Sequence, residues 1–243
     1  QAAAVPGQRS ASFPAFFPGI SEEIREVNRA LSLLASTGRA LIVGEAGLSK
    51  ANAIRRLAHW MDPERPPVVV HGSSLVDRGW EQVIADQRRD AASDADLGQN
   101  LLHIDEIHLF PPMAQERLRH LLQHVDGGAR LARNVVATTS LAPGLLAGDG
   151  ALLPSLISEL TPPRLVLTPL CERRQDIAPI LFAALDEHAD GVSLSIAVEL
   201  VETLLMQAWA GNIREIRRLA ALLVANRGPS GELDLEHTPP SFG

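Results

Sequence analysis

Of the 22 basic residues in the chain, 21 are arginine, and the one lysine is Lys50. A sequence that uses Arg wherever a positive charge will serve keeps a compact, flexible ammonium here. Such a group fits a tight anion cradle that a planar guanidinium does not. Lys50 ends GEAGLSK (Gly44, Glu45, Ala46, Gly47, Leu48, Ser49, Lys50), which follows the apolar run ALIV and precedes a helical pattern. Strand, Gly-rich turn and helix in that order aim backbone N–H groups and a helix N-terminus at phosphate oxygens, with the lysine reaching the β- and γ-phosphates. Against the full pattern G-x-x-x-x-G-K-[ST], Ser49 replaces the second glycine and Ala51 replaces the hydroxyl residue. A Cβ at position 49 crowds the approach to phosphate, and Ala51 leaves a Mg2+ ion to water and nearby acids. Those acids are Asp105 and Glu106, at the end of the apolar run Leu101–Ile104. An Asp at a strand tip suits Mg2+ held through water, and the adjacent Glu suits polarising an attacking water, so the two are the candidate catalytic pair.

The elements that must position these groups follow from hydrophobic periodicity. Short apolar runs at Ala40–Val43, Val68–Val70, Leu101–Ile104, Val135–Thr138 and Leu165–Leu167 predict buried parallel strands. Helical patterns lie between them, at Ala51–Met61, Trp80–Arg89, Pro112–His124 and near Leu152–Leu160, after a first helix that starts near Ser21 as N-cap. The alternation predicts an α/β fold with a parallel, doubly wound sheet. Beyond Pro169 the strand signals mostly stop, and Arg174–His188, Ser195–Ala208 and Asn212–Asn226 predict a small helical lid. The expected division is a linker over 1–19, an α/β subdomain over 20–168, a lid over 169–230 and a second linker over 231–243.

Composition narrows the function. The chain of 243 residues is 46% hydrophobic, carries a net charge of -7 and has one cysteine, Cys171. An acidic module does not attract phosphate backbones by its bulk field, so DNA contact is expected only through another segment. No apolar run reaches the roughly 18 residues of a membrane span, the opening residues are not expected to be a signal peptide because they lack a charged stretch followed by an apolar one, and a lone cysteine suits a reducing compartment. The location expected is cytoplasmic. The chain lacks an initiator Met, and is read as an excerpt of a longer protein. Three weaker candidates give way to plainer readings: HIDEIH (residues 103–108) lacks a metal-site spacing, His120 and His124 form a polar helix face, and Cys171 has no partner histidine nearby in sequence.

Several segments carry a resemblance. DEIHLFPPMAQERLRHLL (Asp105–Leu122), RNVVATTS (Arg133–Ser140), LTPLCERRQDIAPIL (Leu167–Leu181) and WAGNIREIRRLA (Trp209–Ala220) resemble the Walker B, sensor I, lid-entry and sensor II segments of the bacterial enhancer-binding proteins, the sigma-54-dependent transcription activators. GEAGLSK is similar to that family's GESGTGK. The resemblance spans about Phe17 to Pro240 and implies an AAA+ P-loop NTPase fold, ATP or ADP as ligand, Mg2+, and self-association into an oligomer. It implies that Lys50 is the P-loop lysine, that Asp105 and Glu106 form Walker B, that Thr138 is the sensor I threonine and that Arg214 is the sensor II arginine. Phe16 and Phe17 fall where the family wraps a linker near the adenine; ordinary packing on the core is the alternative.

The departures are informative too. The family's sigma-contacting loop has no counterpart in Gly72–Asn100, and its second surface loop is shortened at Asp126–Ala132. Leu153 and Glu159 align with its two trans-acting arginines, Thr139 with its sensor I Asn, and Gly72 with its switch Asn. Loss of such an arginine costs about 10³–10⁵ in rate. The expected function is therefore a nucleotide-binding AAA+ regulatory module of a transcription regulator with weak or lost hydrolysis, and any polymerase or sigma-factor contact made by another route. The alternatives are an active ATPase using Arg130, Arg133 or Arg164 in trans, and a nucleotide-free interaction scaffold.

Overall fold

The structure is a computed structural model that describes residues 14–72, 79–80, 82–83, 85, 101–123, 134–146, 151–161, 164–189, 192, 194–228 and 231–238. Five parallel strands form the main sheet: β1 (Arg39–Val43), β2 (Val68–His71), β3 (Leu101–Asp105), β4 (Asn134–Thr139) and β5 (Arg164–Val166), in the order β2-β3-β4-β1-β5. β1 has a parallel partner on each side and helices over both faces, so Ala40, Leu41, Ile42 and Val43 are all fully buried. This explains why β1 is a continuous apolar run and not an alternating one.

Successive side chains point to opposite faces and divide the core in two. Leu41 and Val43 join Leu102 and Ile104 under α4 (Pro112–Gln123) and α5 (Pro154–Leu160), through Leu118, Leu156 and Leu160. Ala40 and Ile42 face α1 (Glu22–Ser32) and α3 (Lys50–Met61), through Ile24, Leu31, Ile54 and Leu57; the one-turn helix α2 (Leu34–Thr37) leads into β1. Each such Leu or Ile contributes about 1.5–3 kcal/mol of burial. Phe16 and Phe17, expected at the end of a linker, are buried in this second layer. Phe16 stacks edge-on against Trp60, ring centroids 5.7 Å apart, and Phe17 exchanges two hydrogen bonds with Asn28. Their surroundings are those of ordinary core packing.

The lid consists of α6 (Ile177–His188), α7 (Val198–Met206) and α8 (Asn212–Asn226), packed through Leu181, Leu200, Trp209, Ile216 and Leu219. Its middle helix differs from expectation. Ser195–Ile196 is strand β6, paired in parallel with β7 (Glu232–Leu233), and the helix starts only at Val198. The cause is the alternation Leu194-Ser195-Ile196, which turns both apolar residues to the lid core while the backbone pairs with β7. Ser21 does occupy the N-cap position of α1, but its hydroxyl makes no cap. It donates instead to Asp176 Oδ2 at 2.7 Å, in the lid. The expected helix Trp80–Arg89 is described only at four positions, 80, 82, 83 and 85, all helical, and the rest lies outside the described residues.

Candidate functional site

The register of the sheet sets the site. Val43 is level with Thr139 and Val166, and His71 with Asp105. The carboxyl ends of β1, β3 and β4 therefore meet at one edge, where open α/β sheets bind ligands. The loop after β1 begins at Gly44, whose N–H donates to Thr139 O at 3.1 Å. A Cβ on Gly44 would stand 2.8 Å from the Leu167 side chain, so only glycine fits there. The loop then turns through Gly47, at φ 83°, and Ser49, at φ 61°, into α3. Ser49 is left-handed without being glycine, a strain of roughly 1–2 kcal/mol.

Lys50 opens α3 and is 7% exposed. Its ammonium donates to Gly44 O at 2.5 Å and Glu45 O at 3.1 Å and lies 3.5 Å from Glu106 Oε1. Burial pushes its pKa down, against the pull of Glu106 and Asp105 and with a further push from Arg214. The side chain faces a cleft of about 320 Å3 lined by Ala46–Asn52, Arg55, Asp105, Glu106, Arg214 and Arg217.

The two acids are held differently. Asp105 Oδ1 accepts from Thr138 Oγ1 at 2.8 Å, and Oδ2 is 3.1 Å from His71 Nδ1. Glu106 sits at φ 49°, with Oε2 accepting from Ser140 N at 2.7 Å and lying 3.3 Å from His108 Nδ1. Beneath them Thr138 is fully buried. Its hydroxyl donates to Asp105, accepts from Glu106 N at 3.3 Å and lies 3.4 Å from His103 Nε2. Burial lowers the His103 pKa to about 4, with Asp105 opposing and His71 adding to the fall. The imidazole is thus neutral at pH 7, and its Nε2–H tautomer completes the threonine's hydrogen bonds.

The lid closes over the loop. Arg214 N donates to Gly47 O at 3.0 Å, Asn212 Nδ2 donates to Ala46 O and to Glu45 Oε2, both at 3.1 Å, and Asn212 Oδ1 accepts from Leu170 N at 2.8 Å. A Cβ on Gly47 would fall 2.1 Å from Gly211 O. Loop and lid thus meet backbone to backbone.

Of the residues singled out in the sequence, Ala46, Gly47, Leu48, Ser49, Lys50, Ala51, Asp105, Glu106 and Arg214 share this cleft. Gly44, Glu45 and Thr138 are not among its lining residues and act on it through Lys50, Asn212 and Asp105. Thr139, aligned with the family's Asn, is buried, its hydroxyl 3.0 Å from His108 Nδ1. At Gly72, aligned with the switch Asn, a Cβ would meet Phe110 at 3.0 Å. Glu159 pairs with Arg39 at 2.9 Å and accepts from Gln123 at 2.7 Å, while Leu153 packs against the core. Arg164 is exposed, and Arg130 and Arg133 lie outside the described residues. Sequence reasoning gave no role to Arg55, Arg217 or Asn212. Helical spacing carries a signal for two of them, since Arg217 follows Arg214 by three and Arg55 follows Ala51 by four. Among the described residues no group of three His, Cys, Asp or Glu is placed to hold a metal, and no helix is long and apolar enough to cross a membrane.

No protein-family model matches the chain. Among curated proteins it is 27% identical over 219 residues to the Nif-specific regulatory protein of Azospirillum brasilense, covering 82% of the chain and 34% of that protein. It is 27% identical over 247 residues to the DNA-binding transcriptional regulator NtrC of a Bradyrhizobium species, covering 92% and 52%. The chain thus spans about a third to a half of these relatives' length. In three dimensions it matches NtrX from Brucella abortus, crystallised with ADP and with ATP, at TM-score 0.69 and 18% identity over 93% and 92% of the chain and 56% of NtrX. With this sheet order and this loop at the tip of β1, the chain has the fold of the AAA+ P-loop NTPases, and in sequence it is similar, as a divergent relative, to the AAA+ domains of the bacterial enhancer-binding proteins, the sigma-54-dependent transcription activators.

Proposed function

We propose that the chain is an ATP- or ADP-binding AAA+ regulatory module of a cytoplasmic transcription regulator, with hydrolysis weak or lost. The observation that carries this reading is the buried Lys50 ammonium, held at the mouth of α3 and facing a cleft that Arg214 borders from the lid. A polyphosphate entering that cleft meets a desolvated cation, the loop N–H groups and a helix N-terminus together. NtrX, crystallised with both nucleotides, supports the ligand class.

Weak hydrolysis is supported by two features. Leu153 and Glu159 are engaged within their own chain, where a neighbour's site would need arginines. Glu106, the candidate base, already accepts from Ser140 N and lies 3.5 Å from Lys50, so part of its accepting capacity is used before any water arrives. Self-association belongs to the proposal, as does DNA contact through another segment. The resemblance to regulators carries both.

Calorimetric titration with ADP and ATP tests the reading. Micromolar binding is expected, weakened at least 100-fold in Lys50→Ala, with steady-state turnover near background. No heat at high micromolar nucleotide would favour the scaffold alternative. Brisk turnover that collapses in Lys50→Ala would instead favour an active ATPase.

A further inference from the structure

We propose that the cleft takes its nucleotide as the free polyphosphate, without a divalent cation, and that Arg55 and Arg217 supply the charge such a cation would bring. The inference rests on the nucleotide-binding reading and deepens it.

The metal side of the cleft is the first observation. Mg2+ demands near-octahedral oxygen coordination and sheds water reluctantly. The residue after Lys50, which borders the cleft, is Ala51, so the loop offers no hydroxyl there. The Mg2+ expected behind water at Asp105 has a poor seat as well. Oδ1 of that carboxylate already accepts from Thr138 and Oδ2 lies 3.1 Å from His71 Nδ1, while Glu106 accepts from Ser140 N and lies 3.5 Å from Lys50. A metal would have to draw its ligands from phosphate and water alone, and its outer shell would compete with hydrogen bonds already made.

The cation side is the second. Among the described residues, Lys50, Arg55, Arg214 and Arg217 border the cleft against the two acids Asp105 and Glu106. Arg214 and Arg217 are three residues apart on α8 and so share a face, while Arg55 borders the same cleft from α3. Arg55 and Arg217 are held lightly. The first hydrogen-bonds Asn52, and the second pairs with Glu187 at 2.8 Å, with side chains 31% and 45% exposed. Exposed pairs of this kind contribute little, so either guanidinium can turn to a phosphate, where bidentate charge-assisted hydrogen bonds are stronger. Two guanidiniums carry the same formal charge as one divalent ion.

The test is calorimetry with ADP and ATP in two arms, one with EDTA and one with millimolar MgCl2. Equal or tighter affinity in EDTA is expected. Arg55→Ala and Arg217→Ala, both at the surface and checked for unchanged melting, are expected to weaken binding in EDTA about tenfold each. Ala51→Thr, which restores a hydroxyl, is expected to make binding Mg2+-dependent. A gain of tenfold or more on adding Mg2+ to the unmodified chain would overturn the proposal and leave the nucleotide reading intact. So would unchanged affinity in EDTA for both arginine variants. Absence of binding in both arms would sink the nucleotide reading and this inference with it.

Discussion

The seam between the loop after β1 and the lid, and the corner where α5 meets the start of β1, are built on different principles. At the seam the contacts run backbone to backbone or through one amide. Arg214 N and Asn212 Nδ2 take up the carbonyls of Gly47 and Ala46, and Gly47 must lack a Cβ for Gly211 to approach. At the corner the contacts are side chains satisfied locally: Glu159 holds Arg39 and Gln123, and Leu153 packs, partly buried, against the core. The difference teaches which half of the machinery this chain keeps. Groups at the chain's own cleft hold demanding geometry, whereas the positions that the resemblance aligns with trans arginines are tied into the chain's own packing.

The sharpest way to break that comparison is Gly47→Ala. The added Cβ would lie 2.1 Å from Gly211 O at a φ of 83°, so the lid must shift or the loop must distort. A loss of at least about 3 kcal/mol is expected, a fall in melting temperature of roughly 6–12 °C, with loss of nucleotide binding. Melting within a degree of the unmodified chain would mean that the seam opens freely.

Acid stability probes the floor of the cleft. The His103 pKa is about 4 in the folded chain, below its ordinary 6.5, because burial disfavours the imidazolium. Between those values the unfolded chain binds a proton that the folded chain does not. Stability is therefore expected to fall by about 2–3 kcal/mol as pH drops from 6.5 to 4, and this contribution then levels off. His103→Gln should flatten that limb. Asp176 adds a lower one. Burial works to raise its pKa, but hydrogen bonds from Arg173, Ser21 and Ile20 N outweigh burial and hold it below 3.8. Its contribution is present above the ordinary value and is lost as pH falls through the folded value, so it should survive in His103→Gln. Urea titrations across pH would show whether the two limbs separate.

At the α5 corner, Glu159→Arg reinstates the residue type of a trans arginine. It also removes the partner of Arg39, whose pair with Glu159 is about a quarter exposed. A loss of about 1–2 kcal/mol is expected, with no gain in ATP turnover. A rise in turnover of tenfold or more would show that the corner still faces a neighbour's cleft and that only the arginine was lacking.

How much of this was legible in the sequence depends on the range of each interaction. Helix α8 begins and ends where periodicity placed it, at Asn212 and Asn226, because a regular apolar stripe behind Gly211 leaves little choice. The strands fall within a residue of expectation for the same reason. β6 was missed because an alternation of three residues is too short to stand out from the helical pattern that follows it, and its pairing with β7 is set by residues 37 positions away. Ser21 looked like a helix cap, but its hydroxyl reaches Asp176, 155 residues on; local spacing cannot reveal such a choice. In the cleft, Lys50, Asp105 and Glu106 stood out by type and context. Arg55 and Arg217 did not, since in a chain with 21 arginines nothing local separates one at a cleft from one on an open surface. Asn212 hid behind its helix, because the sequence shows a helix start and not the loop it touches.

Ser49 sharpens the comparison at the smallest scale. It stands where the resemblance has a glycine and is held at φ 61°, ψ 28°, a region where a Cβ meets the following carbonyl. Its side chain makes no cap to α3, so nothing local offsets the strain. Ser49→Gly should relieve about 1 kcal/mol of it, less a few tenths for the greater freedom of an unfolded glycine. It also removes the atom that crowds the phosphate approach. Affinity for ADP should therefore rise about threefold while the melting temperature moves up by only a degree or two. If affinity falls instead, the hydroxyl is itself a phosphate ligand, and the loop has been remade to bind by side chain where the resemblance predicts backbone alone.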